Sequence, residues 1–210
     1  MTAHLALALG WVVWCALHSL LASIPAEVAI RRLMGGMAPW YRLGYNLFAM
    51  ASVAPLVYME KTWAGGTLAD LGTMEPLRSA VFYSALAAMA WVALKYGPSN
   101  LSGLAPADGP DTPAKPGELG LSGPFAHVRH PLYSLAFVIL WSRPMTDTAL
   151  VSSAVLSAYI LIGYRLEERR MIRRFGGDYA RYREAVPAFI PWRLASGLLG
   201  LVSHFRPGIR

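Results

Sequence analysis

Residues 4–24, HLALALGWVVWCALHSLLASI, form the apolar run that decides the fold. A helix rises about 1.5 Å per residue, so about 20 apolar residues cross the roughly 30 Å hydrocarbon core of a bilayer. The run is too long for the apolar part of a signal peptide, and no basic residue precedes it. It therefore predicts a transmembrane helix near the amino terminus.

The rest of the chain carries further apolar stretches of this kind. They are Leu43 to Met59, Ala80 to Leu94, Pro131 to Trp141 and Ala149 to Tyr164. Of the 210 residues, 55% are hydrophobic and 15% are charged, whereas soluble domains carry roughly 25% charged residues. These features predict an all-α integral membrane bundle of about five transmembrane helices. A single cysteine, Cys15, excludes a disulfide framework and a cysteine-based metal site.

The positive charge is concentrated at one end of the chain. Residues 1–164 hold 9 Lys/Arg and 8 Asp/Glu, whereas residues 165–210 hold 10 arginines and 4 acids, which divides the net charge of +7 into +1 and +6. The loops 24–42 and 95–130 each carry three Lys or Arg residues. Since cytoplasmic loops are enriched in Lys and Arg, the pattern predicts a multi-pass membrane protein with a cytoplasmic carboxyl terminus. A juxtamembrane tail explains the charge without nucleic acid as a partner.

Three regions follow from this division. Residues 1–96 are predicted to be a three-helix transmembrane half, and residues 97–124 a Pro/Gly-rich cytoplasmic loop. Residues 125–210 are predicted to be a helical hairpin and a basic tail that together form a cofactor site. The segment 192–205 is predicted to be either an interfacial amphipathic helix or a sixth, inserted hydrophobic element, and it is too short to span the membrane. The sequence also leaves open whether the loop is a functional lid, and what the oligomeric state is.

Polar residues flank the last two predicted spans. His127, Arg129, His130 and Tyr133 stand at the start of the fourth span, and Glu167 and Glu168 follow the fifth, with Tyr179 and Tyr182 beyond them. An antiparallel hairpin would bring these groups to one depth, where ionisable residues usually face a polar cavity. The mixture suits a zwitterionic, adenine-bearing cofactor or a phospholipid headgroup. The plainer alternatives are ion pairs between the glutamates and arginines of their own helix, and a histidine that caps a helix.

These residues carry a family resemblance over about residues 118–192. The strings Arg129-His130-Pro131-x-Tyr133, Glu167-Glu168, Phe175-Gly-x-x-Tyr179-x-x-Tyr182, and Val186-Pro187 ending at Ile190-Pro191 resemble the carboxyl-terminal signature of the isoprenylcysteine carboxyl methyltransferases. Membrane phospholipid methyltransferases share that signature. The resemblance implies S-adenosylmethionine as methyl donor. It assigns the cofactor to His127, Arg129, His130, Tyr133, Glu167, Tyr179 and Tyr182, and a catalytic role at the reaction centre to Glu168 or a neighbouring arginine.

The amino-terminal half carries a second resemblance. Leu17-His18-Ser19-Leu20-Leu21 and Tyr41-Arg42-Leu43-x-Tyr45-Asn46 are similar to NnrU-like membrane proteins and the related bacterial methanethiol-type S-methyltransferases. His18 is a candidate catalytic base or positioning group for the acceptor, because a histidine that titrates near neutral pH can take the proton of a thiol. A histidine bonded to a backbone carbonyl is the plainer alternative.

The sequence is compatible with three functions. The first is a membrane methyltransferase that acts on a thiol, a prenylcysteine-like carboxylate or a lipid amine. The second is a haem-binding isomerase or sensor of the NnrU type, with His18 and His130 as axial ligands. The third is a lipid-binding protein without enzymatic activity.

Overall fold

The structure, a computed structural model, describes residues 1–68, 70, 72–96 and 123–190. The described residues form seven α-helices: α1 (Thr2–Leu21), α2 (Ile24–Met34), α3 (Tyr41–Thr62), α4 (Glu75–Tyr96), α5 (Pro131–Ser142), α6 (Asp147–Phe175) and α7 (Gly177–Ala185). The prediction of an all-α chain is confirmed for these ranges. The predicted loop 97–124 lies outside the described residues except for its last two positions, and the segment 192–205 lies outside them entirely.

Three helices in the described ranges are long and apolar enough to cross a membrane: Thr2–Leu21, Gly72–Leu94 and Asp147–Phe175. The predicted second span lies within the 22-residue α3, which carries Arg42, Glu60 and Lys61 and is not among the three. The predicted fourth span corresponds to α5, which is apolar but has only 12 residues. A membrane protein is therefore supported, and the number of five spans and the orientation stay predictions.

The chain divides into two compact units. The described residues of the first are 1–68, 70, 72–96 and 135–163, and those of the second are 123–134 and 164–190. Helices α5 and α6 each contribute residues to both units. The predicted division at residues 96 and 124 stays a prediction.

The first unit has a small interior and an apolar exterior. Leu7 and Trp11 of α1 pack with Leu56 of α3, and all three are buried. The opposite face of α1 exposes large apolar residues such as Leu9 and Val13, each 56% exposed. A helix that exposes so much apolar surface fits a lipid environment better than water.

Polar pairs join the helices of the first unit in its interior. The indole N–H of Trp11 donates to the buried Ser152 hydroxyl at 2.7 Å. The guanidinium of Arg143, before α6, contacts the buried Glu60 carboxylate of α3 at 2.6 Å. Hydrogen bonds of this kind satisfy polar groups that have no water to bond with.

Candidate functional site

Local backbone signals place the polar residues of the second unit. Pro131 begins α5, because the first turn of a helix does not need its missing N–H. Helix α6 runs on to Phe175 and is followed by Gly176, whose φ is +56°. Only glycine adopts this conformation without strain, so the chain can turn there and begin α7 at Gly177. The turn brings Tyr179 and Tyr182 of α7 into the interior of this unit.

The centre of the unit is a buried ion pair. Arg129, before α5, donates from Nε to Oε1 of Glu168 at 2.7 Å, and Nη2 of Arg129 lies 2.6 Å from the same oxygen. The side chains are only 8% and 9% exposed. The second oxygen of Glu168 lies 3.6 Å from Nε of Arg183 in α7. Charged hydrogen bonds in such a dry environment are strong, and removal of one partner is costly.

Arg129 also fixes the segment after α7. Its Nη1 donates to the backbone carbonyls of Arg183, at 2.9 Å, and Val186. Two backbone bonds run beside it, from Arg129 N to Pro187 O at 2.9 Å and from His130 N to Ala188 O at 3.0 Å. The predicted string around Val186-Pro187 thus packs along the residues that precede α5.

His130 lies between the two glutamates. Its Nε2 is 3.3 Å from Oε1 of Glu168, and its Nδ1 is 3.8 Å from Oε2 of Glu167. The ring stacks on Tyr133, with 5.5 Å between the ring centroids, and contacts Tyr164 with an edge-to-face geometry at 5.8 Å. The imidazole, which is 7% exposed, is therefore held in a fixed orientation.

Tyr179 and Tyr182 form the buried wall of the cluster. They are 3% and 8% exposed, and the Tyr182 hydroxyl donates to the carbonyl of Phe125 at 2.6 Å. Burial raises the pKa of both phenols to about 12, because the ionised form is poorly solvated; the charge of Glu168 adds to this effect at Tyr179. Both rings are neutral at physiological pH.

The predicted convergence of the two ends of the hairpin is confirmed. Arg129, His130, Glu167 and Glu168 meet within hydrogen-bond or ion-pair distance. Among the described residues, neither glutamate forms an ion pair with an arginine of α6. The alternative of ion pairs within their own helix therefore does not describe them. Tyr133 is half-buried beside His130, whereas His127 is exposed.

The site residues differ in what they can offer to a ligand. Glu168 and the Arg129 guanidinium are buried and bond to other protein groups, which fits a positioning role. The Glu167 side chain is 42% exposed and sits next to His130. Glu167, Tyr133 and the exposed His127 therefore have the surface with which a ligand can interact.

His18 belongs to the first unit and has its own cluster. The Tyr45 hydroxyl lies 3.0 Å from both ring nitrogens of His18. The imidazole stacks on Trp14 at 4.8 Å and meets the edge of Tyr159 at 6.3 Å. The ring nitrogens of His18 thus lie next to a tyrosine hydroxyl, whereas the alternative from the sequence is a hydrogen bond to a backbone carbonyl.

Several residues of these clusters escaped the prediction. Arg183, Tyr164 and Phe189 surround the Glu168–His130 pair, and Tyr159 accompanies His18. Tyr159 could have been found, because a tyrosine in the middle of an apolar helix needs a partner for its hydroxyl, which here is Ser19 at 2.9 Å. Arg183 is one of ten arginines in the tail, and nothing local distinguishes it.

Comparison with known proteins finds sequence similarity to one enzyme class. The chain is 43% identical over 70 residues to methanethiol S-methyltransferase 1 of Bradyrhizobium diazoefficiens; the match covers 33% of this chain and 25% of the relative. It is 41% identical over 69 residues to a methanethiol S-methyltransferase of Crocosphaera subtropica, covering 32% and 27%. A third, from Pseudomonas deceptionensis, is 37% identical over 82 residues, covering 38% and 31%.

About a third of this chain is similar to methyltransferases. The matches span only a quarter to a third of the length of those relatives. No family model matches the chain. No solved structure matches it. The similarity supports a methyltransferase-like family, whereas no finding supports the haem-binding alternative.

Proposed function

We propose that this protein is a membrane methyltransferase that uses S-adenosylmethionine to methylate a small or lipophilic thiol. The observation that carries the proposal is the arrangement in the second unit. A buried Arg129–Glu168 pair orients His130, and the half-exposed Glu167 lies beside it. The similarity to proteins named methanethiol S-methyltransferases points to the same reaction class.

The residues of the cluster fit the chemistry of this methyl donor. The donor carries an ammonium, ribose hydroxyls, an adenine ring and a sulfonium. The Glu167 carboxylate suits the ammonium or the hydroxyls, and the aromatic ring of Tyr133 suits the adenine or a cationic centre. When bound, the donor supplies a methyl group on a positively charged sulfur. Transfer of that methyl group would form one carbon–sulfur bond to the acceptor and break the bond to the sulfonium sulfur.

The protein's own contribution is alignment and control of one proton. Well-aligned reactants can gain about 7–11 kcal/mol from proximity. We assign Arg129, Glu168, Tyr179 and Tyr182 to holding the donor-binding residues in place. This makes Glu168 a positioning residue rather than the catalytic residue expected from the resemblance.

His18 is proposed as the base for the acceptor. A thiol must lose its proton before its sulfur can attack, and a neutral imidazole nitrogen can take that proton. The hydroxyl of Tyr45 lies within hydrogen-bond distance of the ring and can hold its orientation. The reaction then yields a thioether, S-adenosylhomocysteine and a protonated His18.

The site is proposed to open on the cytoplasmic side of the bacterial inner membrane. The arginine-rich end of α6 supports this orientation, because basic residues mark the cytoplasmic side. A lipophilic acceptor would reach the protein from the bilayer, and the polar donor from the cytoplasm.

Binding of radiolabelled S-adenosylmethionine to the purified protein tests the donor site. Replacement of Glu167 by Gln is expected to weaken binding at least tenfold, because a charged hydrogen bond is lost. Replacement of Asp178 by Asn is the matched control, since Asp178 is an exposed acid that pairs with Arg181 in the same unit. Absence of binding to the wild-type protein would refute the proposal. Equal binding by the wild type and the Glu167 variant would remove the site assignment.

Product analysis tests the acceptor and the role of His18. The purified protein is incubated with the donor and with methanethiol, a prenylcysteine analogue or phosphatidylethanolamine, and products are identified by mass spectrometry. We expect a thioether from the thiol. Replacement of His18 by Gln should reduce kcat with unchanged donor binding, whereas replacement of His4 by Gln, in the same helix, should not. Full turnover in the His18 variant would contradict its role.

A further inference from the structure

The cytoplasmic half of α6 has an arginine face that the proposed reaction does not use. This face consists of the five arginines 165, 169, 170, 173 and 174, all exposed. The remaining positions of this stretch, except the exposed Leu166, are buried or half-buried: Tyr164, Glu167, Glu168, Met171, Ile172 and Phe175. At about 100° per residue, the arginines occupy about one half of the helix and the packed residues the other half.

Among the residues that the structure describes, the arginine face has no acidic partner. The ion pairs found in the described ranges involve none of the five residues. Arg165 and Arg174 lie over the neighbouring rings of Tyr164 and Phe175, at 5.5 and 5.2 Å from the ring centroids. Five positive charges therefore lie along about 14 Å of helix with no carboxylate of the described residues paired to them.

The length of α6 places this face at the membrane surface. The helix has 29 residues, which corresponds to about 43 Å. The hydrocarbon core is about 30 Å thick and the whole bilayer about 40–45 Å. If the apolar part of the helix, from Asp147, fills the core, the arginines lie at the depth of the lipid headgroups.

We propose that the arginine face binds the phosphate groups of anionic phospholipids. The planar guanidinium matches a phosphate oxygen pair with two parallel hydrogen bonds. Leu166, 55% exposed on the same side, lies where the face meets the acyl chains. A lipid headgroup fits better than a soluble anion, because the face begins directly where the apolar part of the helix ends.

The same helix links the arginine face to the candidate active site. Glu167 and Glu168 lie on the packed side of the same helical turns whose exposed side carries the arginines. Headgroup binding would therefore hold the carboxylates at a defined depth. The proposal does not rest on the methyltransferase activity, since lipid binding can be measured without substrate.

Lipid selectivity of the full chain in reconstituted bilayers tests the proposal. The protein is placed in phosphatidylcholine membranes with trace amounts of spin-labelled phosphatidylglycerol or phosphatidylcholine. The spectra give the relative affinity of the protein for the anionic lipid. In the double variant R169Q/R173Q this preference should fall by about fivefold for each arginine that contacts a phosphate. High salt should reduce the preference of the wild type in the same direction.

Two control variants separate the face from general charge effects. R32Q/R181Q removes the same charge from two exposed positions elsewhere and should keep the preference. R169K/R173K keeps the charge and should retain most of it. Unchanged thermal unfolding verifies that each variant folds.

Two results would overturn the proposal. One is equal selectivity in R169Q/R173Q and the wild type. The other is an equal loss in R32Q/R181Q. When the first result is accompanied by a loss of affinity for soluble polyphosphate in R169Q/R173Q, the face binds a soluble anion and the lipid assignment is wrong.

Discussion

Replacement of Glu168 by alanine should destabilise the second unit by leaving a buried cation without its partner. The Arg129 side chain is 8% exposed and directs Nε and Nη2 at one oxygen of Glu168, at 2.7 and 2.6 Å. Removal of one member of a buried ion pair costs about 3–5 kcal/mol. For a chain of this size, 1 kcal/mol corresponds to about 2–4 °C in unfolding temperature. The expected decrease is therefore about 6–20 °C.

The assay is thermal unfolding of the detergent-purified protein followed by tryptophan fluorescence. A double-mutant cycle gives the energy of the pair itself. The variant with both Arg129 and Glu168 replaced by methionine carries no unpaired charge, and should be more stable than the worse single variant by at least about 1 kcal/mol.

One result would refute the reasoning directly. If the Glu168→Ala variant unfolds at the wild-type temperature, the carboxylate is solvated rather than buried against Arg129. A double variant whose loss equals the sum of both single losses would mean that the two residues do not interact. Donor binding, measured on the same samples, should fall in each single variant, because the Arg129–Glu168 pair no longer holds His130 in its orientation.

Three further changes test other contacts. Burial raises the pKa of Tyr179 and Tyr182 to about 12, so their stabilising effect is complete below about pH 10 and is lost as the pH rises through about 12. The double phenylalanine variant should therefore lose less stability over this alkaline range, as measured by unfolding temperature against pH. Ser152→Ala leaves the indole N–H of Trp11 without its acceptor, so it should cost about 1–3 kcal/mol in thermal unfolding; an unchanged midpoint would contradict that bond. Glu60→Gln removes the buried charge that faces the half-buried Arg143 and should cost about 3–5 kcal/mol by the same assay, whereas a gain in stability would refute the ion pair.

The helical fold and part of the site could be predicted from the sequence for different reasons. Apolar runs of membrane length dictate helices, because backbone groups in lipid must bond to each other. The convergence of His130 and Glu168 follows from the hairpin, since its two ends return to one level. These inferences need only lengths and spacing.

The contacts that lie between distant segments could not be predicted in this way. The sequence predicts that Arg129 binds a ligand, yet its nitrogens are directed at Glu168 and at two backbone carbonyls. Composition shows which residues are charged but not which of them become buried. Arg183 could not be predicted for the same reason. Its pairing with Glu168 depends on the turn at Gly176 and not on its neighbours in the chain.

The bonds from the residues before α5 to segment 186–188 have a consequence for biosynthesis. Arg129 and His130 are made long before Pro187 and Ala188, and their backbone N–H groups find their acceptors only when that late segment arrives. The preceding helices can enter the membrane while the ribosome is still translating. The proposed donor site, in contrast, is completed only after residues 186–188 have been made, so a chain that stops before them would be inserted but inert. Chains that end before residue 186 should accumulate in the membrane without binding the methyl donor.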